Sequence, residues 1–159
     1  MIDISKHITM AQATHSNAAI AHGIKNIPNV SQIKAMQHVA QTVFEPTRAA
    51  LGNYPIDTTS FFRCDKLNDL PEISGAKNGH PTGECIDAKA TGGRKNADIF
   101  NYILKNLPFD QLIWEFGTNE EPEWVHFSLR KGTNRHMALK AVWRKVNGKL
   151  KKTYLPIKT

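Results

Sequence analysis

The sequence predicts one α+β domain in which helices pack on a mainly antiparallel sheet. Three observations carry this expectation. Apolar residues recur at helical spacing in the first third of the chain, β-branched and aromatic runs dominate the remainder, and an Asn147-Gly148 hairpin dipeptide separates the last two such runs. At 159 residues, with 40% apolar and 22% charged, the chain has the length and balance of a single globular core. No repeat, low-complexity tract or long linker divides it, so one domain over residues 1–159 is expected.

Taken in order, Ser31 is placed to cap a helix whose Ile33, Met36, Ala40, Val43, Thr47 and Ala50 share one face, with a kink at Pro46 and an end at Gly52. Ile56 to Phe62 reads as a strand that delivers Arg63 at its end. Cys64 to Gly83 is rich in Pro, Gly, Asn and Asp and reads as a long loop, a feature that in compact domains is usually functional. Ile86 to Ala88 is a short strand candidate. Asn96 is then placed to cap a second helix carrying Ile99, Ile103, Leu104 and Leu107, which Pro108 stops. Strands follow at Gln111 to Phe116, at Trp124 to Leu129, and on both sides of the hairpin dipeptide, Ala141 to Val146 and Lys149 to Tyr154.

Composition narrows the class of protein. No stretch approaches the roughly 20 apolar residues of a membrane span, and polar residues interrupt the first segment where a signal peptide needs an apolar run. Synthesis in the cytoplasm is the expectation. Cys64 and Cys85 are too few for a disulfide framework and are given no role. The net charge is +7, and ten of the 21 Lys and Arg residues follow Glu123, the last acidic residue. A basic surface of this kind suits an anionic cell envelope, a nucleic acid or no partner at all. A nucleic-acid binder would interleave aromatic and basic groups, for which Trp143 and Tyr154 give only faint support, so no nucleic-acid partner is expected.

Two segments carry the chemistry. HPTGECID puts His80 and Asp87 seven residues apart around Gly83, so that a loop histidine and a strand carboxylate can reach one ion if the chain turns at the glycine. EPEWVHFS, residues 121–128, puts Trp124, His126 and Ser128 on one face of a strand. His80, Asp87 and His126 would make a three-ligand zinc site with an open fourth position, the form of a catalytic centre. Glu123, three residues before His126, is then the expected proton acceptor, with Glu120 and Glu121 as second choices. SFFR ends in Arg63, whose guanidinium can hold a substrate carboxylate by paired hydrogen bonds. Each segment alone has a plainer reading, as a loop hydrogen bond or a satisfied core histidine. Their joint occurrence favours the metal.

In this order, together with ITMAQATHSNAAIAHGIKNIPN, EPTRAALGNYPI and FDQLIWEF, these segments resemble the M15 family of zinc D,D-carboxypeptidases and L-alanyl-D-glutamate endopeptidases, in its small phage and bacterial branch. The resemblance implies a hedgehog or D-Ala-D-Ala peptidase-like fold and a bound Zn2+ on His80, Asp87 and His126. It also implies Glu123 as general base, Arg63 as the residue for a substrate carboxylate, and peptidoglycan stem peptide as substrate. The chain departs from the family at Asn78 and Gly79, where serine or glutamine is usual ahead of the first histidine, and at Cys85, where alanine is usual. A phage lysis enzyme is the expected setting, monomeric and acting on the wall after holin-type release. A bacterial wall-remodelling peptidase and a non-catalytic envelope-binding module are the alternatives. His7, His15, His22, His38 and His136 show no ligand spacing, and Trp114, Trp124 and Trp143 are expected as core or rim aromatics more than as a substrate platform.

Overall fold

A computed structural model describes residues 3–73 and 79–158. It shows an α+β domain built on one six-stranded sheet of order β1-β2-β4-β3-β5-β6. The strands are β1 (Ile56–Ser60), β2 (Cys85–Ala90), β3 (Gln111–Glu115), β4 (Trp124–Ser128), β5 (Met137–Val146) and β6 (Lys149–Pro156). All neighbours pair antiparallel except β3 and β5, which are parallel. Two short helices, α1 (Met10–Thr14) and α2 (Asn17–Ala21), open the chain. Then come α3 (Val30–Val39), a π-helical turn (Ala40–Phe44), α4 (Glu45–Ala50), the single turn α5 (Asp65–Asn68) and α6 (Asn96–Asn106).

The long helix expected from residue 31 starts two residues earlier. Asn29 caps it, accepting from the Gln32 amide at 3.0 Å while the Gln32 side chain accepts from the Asn29 amide at 2.7 Å, a reciprocal pair that satisfies two orphan donors. Pro46 acts as expected on the ladder but not as a simple kink. Lacking an N–H and crowding the carbonyl four residues back, it is accommodated by the widened π turn that immediately precedes α4. Phe44, the last residue of that turn, is buried in the core, while Ala50 at the end of α4 is exposed.

Other boundaries also differ from the sequence reading, β5 for instance beginning at Met137 rather than Ala141. β1 ends at Ser60, so Phe61 and Phe62 leave the strand to fill the core, and Phe62 donates to the Ala13 carbonyl at 2.9 Å. Within the expected loop, Cys64 begins the turn α5, while residues 74–78 of that loop lie outside the described part. Asn96 is the first residue of α6 rather than its cap. Its buried side chain instead accepts from the Ala90 amide and donates to the carbonyls of Pro122 and Glu123.

Alternation sorts the sheet into two faces. Ile86, Ala88, Leu112, Trp114, Val125 and Phe127 join the core with Met36, Val43 and Phe44 from α3 and its continuation and Ile99, Phe100 and Ile103 from α6. The opposite face carries Cys85, Asp87, Ile113, Glu115, His126 and Leu139, brought side by side by the registers Asp87 with His126, His126 with Ile113 and Ile113 with Leu139. Among the described residues no helix is long and apolar enough to cross a membrane.

Candidate active site

His80 enters the site from a tight turn. Gly83 donates to the His80 carbonyl at 3.2 Å and Glu84 to that of Gly79 at 2.9 Å. Gly83 has φ +77, and a Cβ there would lie 2.7 Å from the Met36 side chain and 2.8 Å from the Gln32 carbonyl. No other residue fits so close to α3. Gln32 reaches across to donate to the Pro81 carbonyl at 2.8 Å, which locks the turn onto the helix. The His80 ring is fixed from behind, since its Nδ1 donates to the Phe61 carbonyl at 2.5 Å.

Asp87 lies between the two histidines. One carboxylate oxygen is 2.7 Å from His126 Nδ1 and the other 3.2 Å from His80 Nε2, with the two ring centroids 5.5 Å apart. Burial would lift the Asp87 carboxyl, but the imidazoles more than offset it and hold the group well below the ordinary carboxylate range. For His80, burial lowers the pKa most and Asp87 raises it in part. His80 Nε2 and the Asp87 carboxylate meet at 3.2 Å, at a position where His80 is only 1% exposed. Zinc, which takes imidazole nitrogen and carboxylate oxygen together, fits this donor set.

Cys85 joins the same neighbourhood. His80, Cys85 and His126 each offer a donor atom within 4.8 Å of the others. Alternation along β2 puts Cys85 on the face of Asp87, a signal present in the sequence that the two-cysteine count alone does not reveal. Burial pushes its thiol well up, so it lies beside the site in the protonated form.

A cavity of about 520 Å³ opens over these groups, lined by Arg63, His80, Asp87, Glu115, Trp124 and His126 with residues of the C-terminal hairpin. The structure therefore brings four of the five expected site residues together. Arg63 projects from the segment after β1, its amide donating to the His80 carbonyl at 3.4 Å, and its guanidinium Nε is buried without a hydrogen-bond partner among the described residues. Burial lowers its pKa and the nearby Asp87 raises it in part.

Glu123 is the exception. It lies one residue ahead of β4, exposed, and is not among the residues lining the cavity. Its parity is opposite to that of Trp124 and His126, and its backbone is held from both sides, by the Glu115 carbonyl and the Asn96 side chain. Glu121 is also committed elsewhere, accepting from the amides of Asn96 and Ala97 at the start of α6. Besides Asp87, the carboxylate lining the cavity among the described residues is Glu115. It is 4% exposed and its Oε2 lies 2.9 Å from Lys152 Nζ of β6. Burial raises its pKa and Lys152 draws it partly back.

The family model described as Peptidase M15 matches residues 6–128. No curated protein matches the chain. The matched span ends at the last residue of β4, so β5 and β6, and with them Lys152, lie beyond it.

Proposed function

Because the chain belongs to the Peptidase M15 family, whose members hydrolyse peptide bonds, we propose that it is a zinc peptidase cutting the stem peptides of peptidoglycan. The observation that carries this reading is Asp87, ionised and in contact with His80 Nε2 and His126 Nδ1 beneath an open cavity. In this proposal His80, Asp87 and His126 hold the metal. Asp87 is preferred to Cys85 because it stays ionised in place, whereas burial keeps the thiol protonated. Bound zinc supplies an acidified water and a polarised scissile carbonyl.

The protein's own groups do the rest. Glu115 faces the cavity with its pKa raised, the direction that suits a group taking a proton near neutral pH and returning it to the leaving amine. Glu123, the expectation from sequence, would have to turn into the cavity from outside to do the same. Arg63 offers a guanidinium at the cavity, its Nε without a hydrogen-bond partner among the described residues, to a substrate carboxylate. A terminal carboxylate of D-Ala-D-Ala and the α-carboxylate of D-Glu both suit it, corresponding to carboxypeptidase and endopeptidase action. The reading extends to a phage-type lysis enzyme, supported by the +7 charge that suits an anionic envelope.

The test is metal content of the purified protein together with mass spectrometry of digested peptidoglycan. About one zinc per chain and release of D-Ala, or of fragments cut at L-Ala-D-Glu, are expected. Peptidoglycan left intact by fully zinc-loaded protein would sink the reading. Arg63→Lys is expected to raise KM for stem peptide by about tenfold or more while the melting temperature stays within a few degrees, since a point charge replaces a planar fork. Unchanged KM would remove Arg63 from substrate binding.

A further inference from the structure

The cavity face of the sheet continues past the cavity. β3 pairs with β5 only from Met137 to Ala141, and from Val142 onward the β5–β6 hairpin is an arm whose two strands pair with each other. The register Glu115 to Ala141 to Tyr154 carries the cavity face across to β6. Alternation then puts Trp143, Lys152 and Leu150 on that face of the arm. β5 supplies Met137 and Leu139 to the cavity wall, and β6 supplies Lys152 and Tyr154.

Along this face the surface is aromatic. The Phe116 ring stacks on Trp143, with centroids 4.8 Å apart and planes within 11°. On its other flank Phe116 lies 5.6 Å from Trp124, which lines the cavity. Trp143 is 57% exposed although one side of its ring is covered, so its far side is open to solvent. Lys152 Nζ sits 5.1 Å from the Phe116 centroid and 4.9 Å from that of Tyr154, which places an ammonium at the rim of the strip.

The backbone holds this strip in place at a cost. Phe116 has φ 55, a conformation unfavourable for any residue with a Cβ. Such residues persist where the surroundings over-determine them and cluster at ligand sites. Here the Phe116 amide donates to the Ala141 carbonyl at 3.2 Å, and Gly117 follows with no space at all, since a Cβ there would run into the Glu121 carbonyl. An isolated exposed aromatic needs no explanation, but a fixed strip continuous with a cavity does.

We propose that the Trp143–Phe116 plate binds a sugar ring of the wall's glycan strand, an N-acetylated hexosamine, while the attached stem peptide occupies the cavity. The proposal rests on the peptidoglycan reading. A pyranose presents a flat C–H face and a polar rim. The open side of Trp143 matches the first and the Lys152 ammonium the second. A pairing of the arm with a second copy is less suited to the same face, because it would bring the Lys145 and Lys152 cations of both copies into one contact. Contact at two points on one polymer raises the effective concentration of the stem peptide at the cavity without any new bond there.

The experiment titrates the zinc-loaded full chain with a soluble tetramer of N-acetylglucosamine in a calorimeter, following the heat of binding, since both variants lack the tryptophan at the site. In parallel, hydrolysis of whole peptidoglycan is compared with that of free stem peptide. Expected are saturable binding by the parent protein, at least about tenfold weaker binding in Trp143→Ala and near-parental binding in Trp143→Phe, which keeps an aromatic plate. Trp143→Ala should also lose several-fold on the polymer and stay within about twofold on free peptide. Absence of saturable binding at about 10 mM tetramer would overturn the proposal, as would equal loss on both substrates or a parent dimer that Trp143→Ala converts to monomer. Tetramer binding without hydrolysis of any stem peptide would sink the peptidase reading and leave the sugar plate standing.

Discussion

Glu115→Gln is expected to keep its zinc and to slow stem-peptide hydrolysis by about 100-fold or more, whereas Glu123→Gln stays within about threefold of the parent. The amide keeps the shape of the carboxylate but accepts no proton. Glu115 lines the cavity and is held 2.9 Å from Lys152, while Glu123 is exposed outside it with its main chain fixed by Asn96 and Glu115. Metal content and kcat measured on the same preparations decide the matter. The reverse ranking, with Glu123→Gln the crippled variant, would restore the assignment that sequence spacing favours. Loss of zinc from Glu115→Gln would turn Glu115 into a support for the metal.

The second large effect concerns the metal itself. His126→Ala and Asp87→Ala each remove one of three proposed ligands, and both should lower zinc occupancy and abolish measurable turnover. Zinc competes with protons for these groups. Because burial lowers the pKa of His80, occupancy should hold at neutral pH and fall only toward acid pH, where protons displace the metal from its ligands. Full zinc retention in both variants would mean that the metal sits elsewhere, with Cys85 the first position to examine.

Local signals in the sequence locate most of the site. The period-2 pattern of β4 puts His126 and Trp124 on one face, and the glycine in HPTGECID marks the turn that presents His80. These depend on a few neighbouring residues. Glu115 and Lys152 depend on register instead. Nothing within LIWEF says that its glutamate faces His126 until β3 is laid against β4, and Lys152 reaches Glu115 only because β5 runs parallel to β3. Three-residue spacing favours Glu123, but the segment from Gly117 to Glu123 is folded back on itself, with Thr118 bonded to Glu121 and Glu121 bonded to α6, and this sets its direction independently of the strand. The helix cap lies two residues from its expected place because Asn29 and Ser31 are both good caps and only the Gln32 side chain distinguishes them.

The last strand also gives the basic tail a second meaning. β6 forms one margin of the sheet, and a strand in that position presents a row of unpaired backbone groups to any passing chain. Lys149, Lys151 and Lys152 lie along it, and Pro156 ends it. Charges and a missing N–H at such a margin discourage another strand from adding to the ladder. Much of the positive charge that reads in the sequence as attraction toward an envelope therefore also acts as insulation, keeping a hairpin arm that must stay open to a polymer from being claimed by another copy of itself.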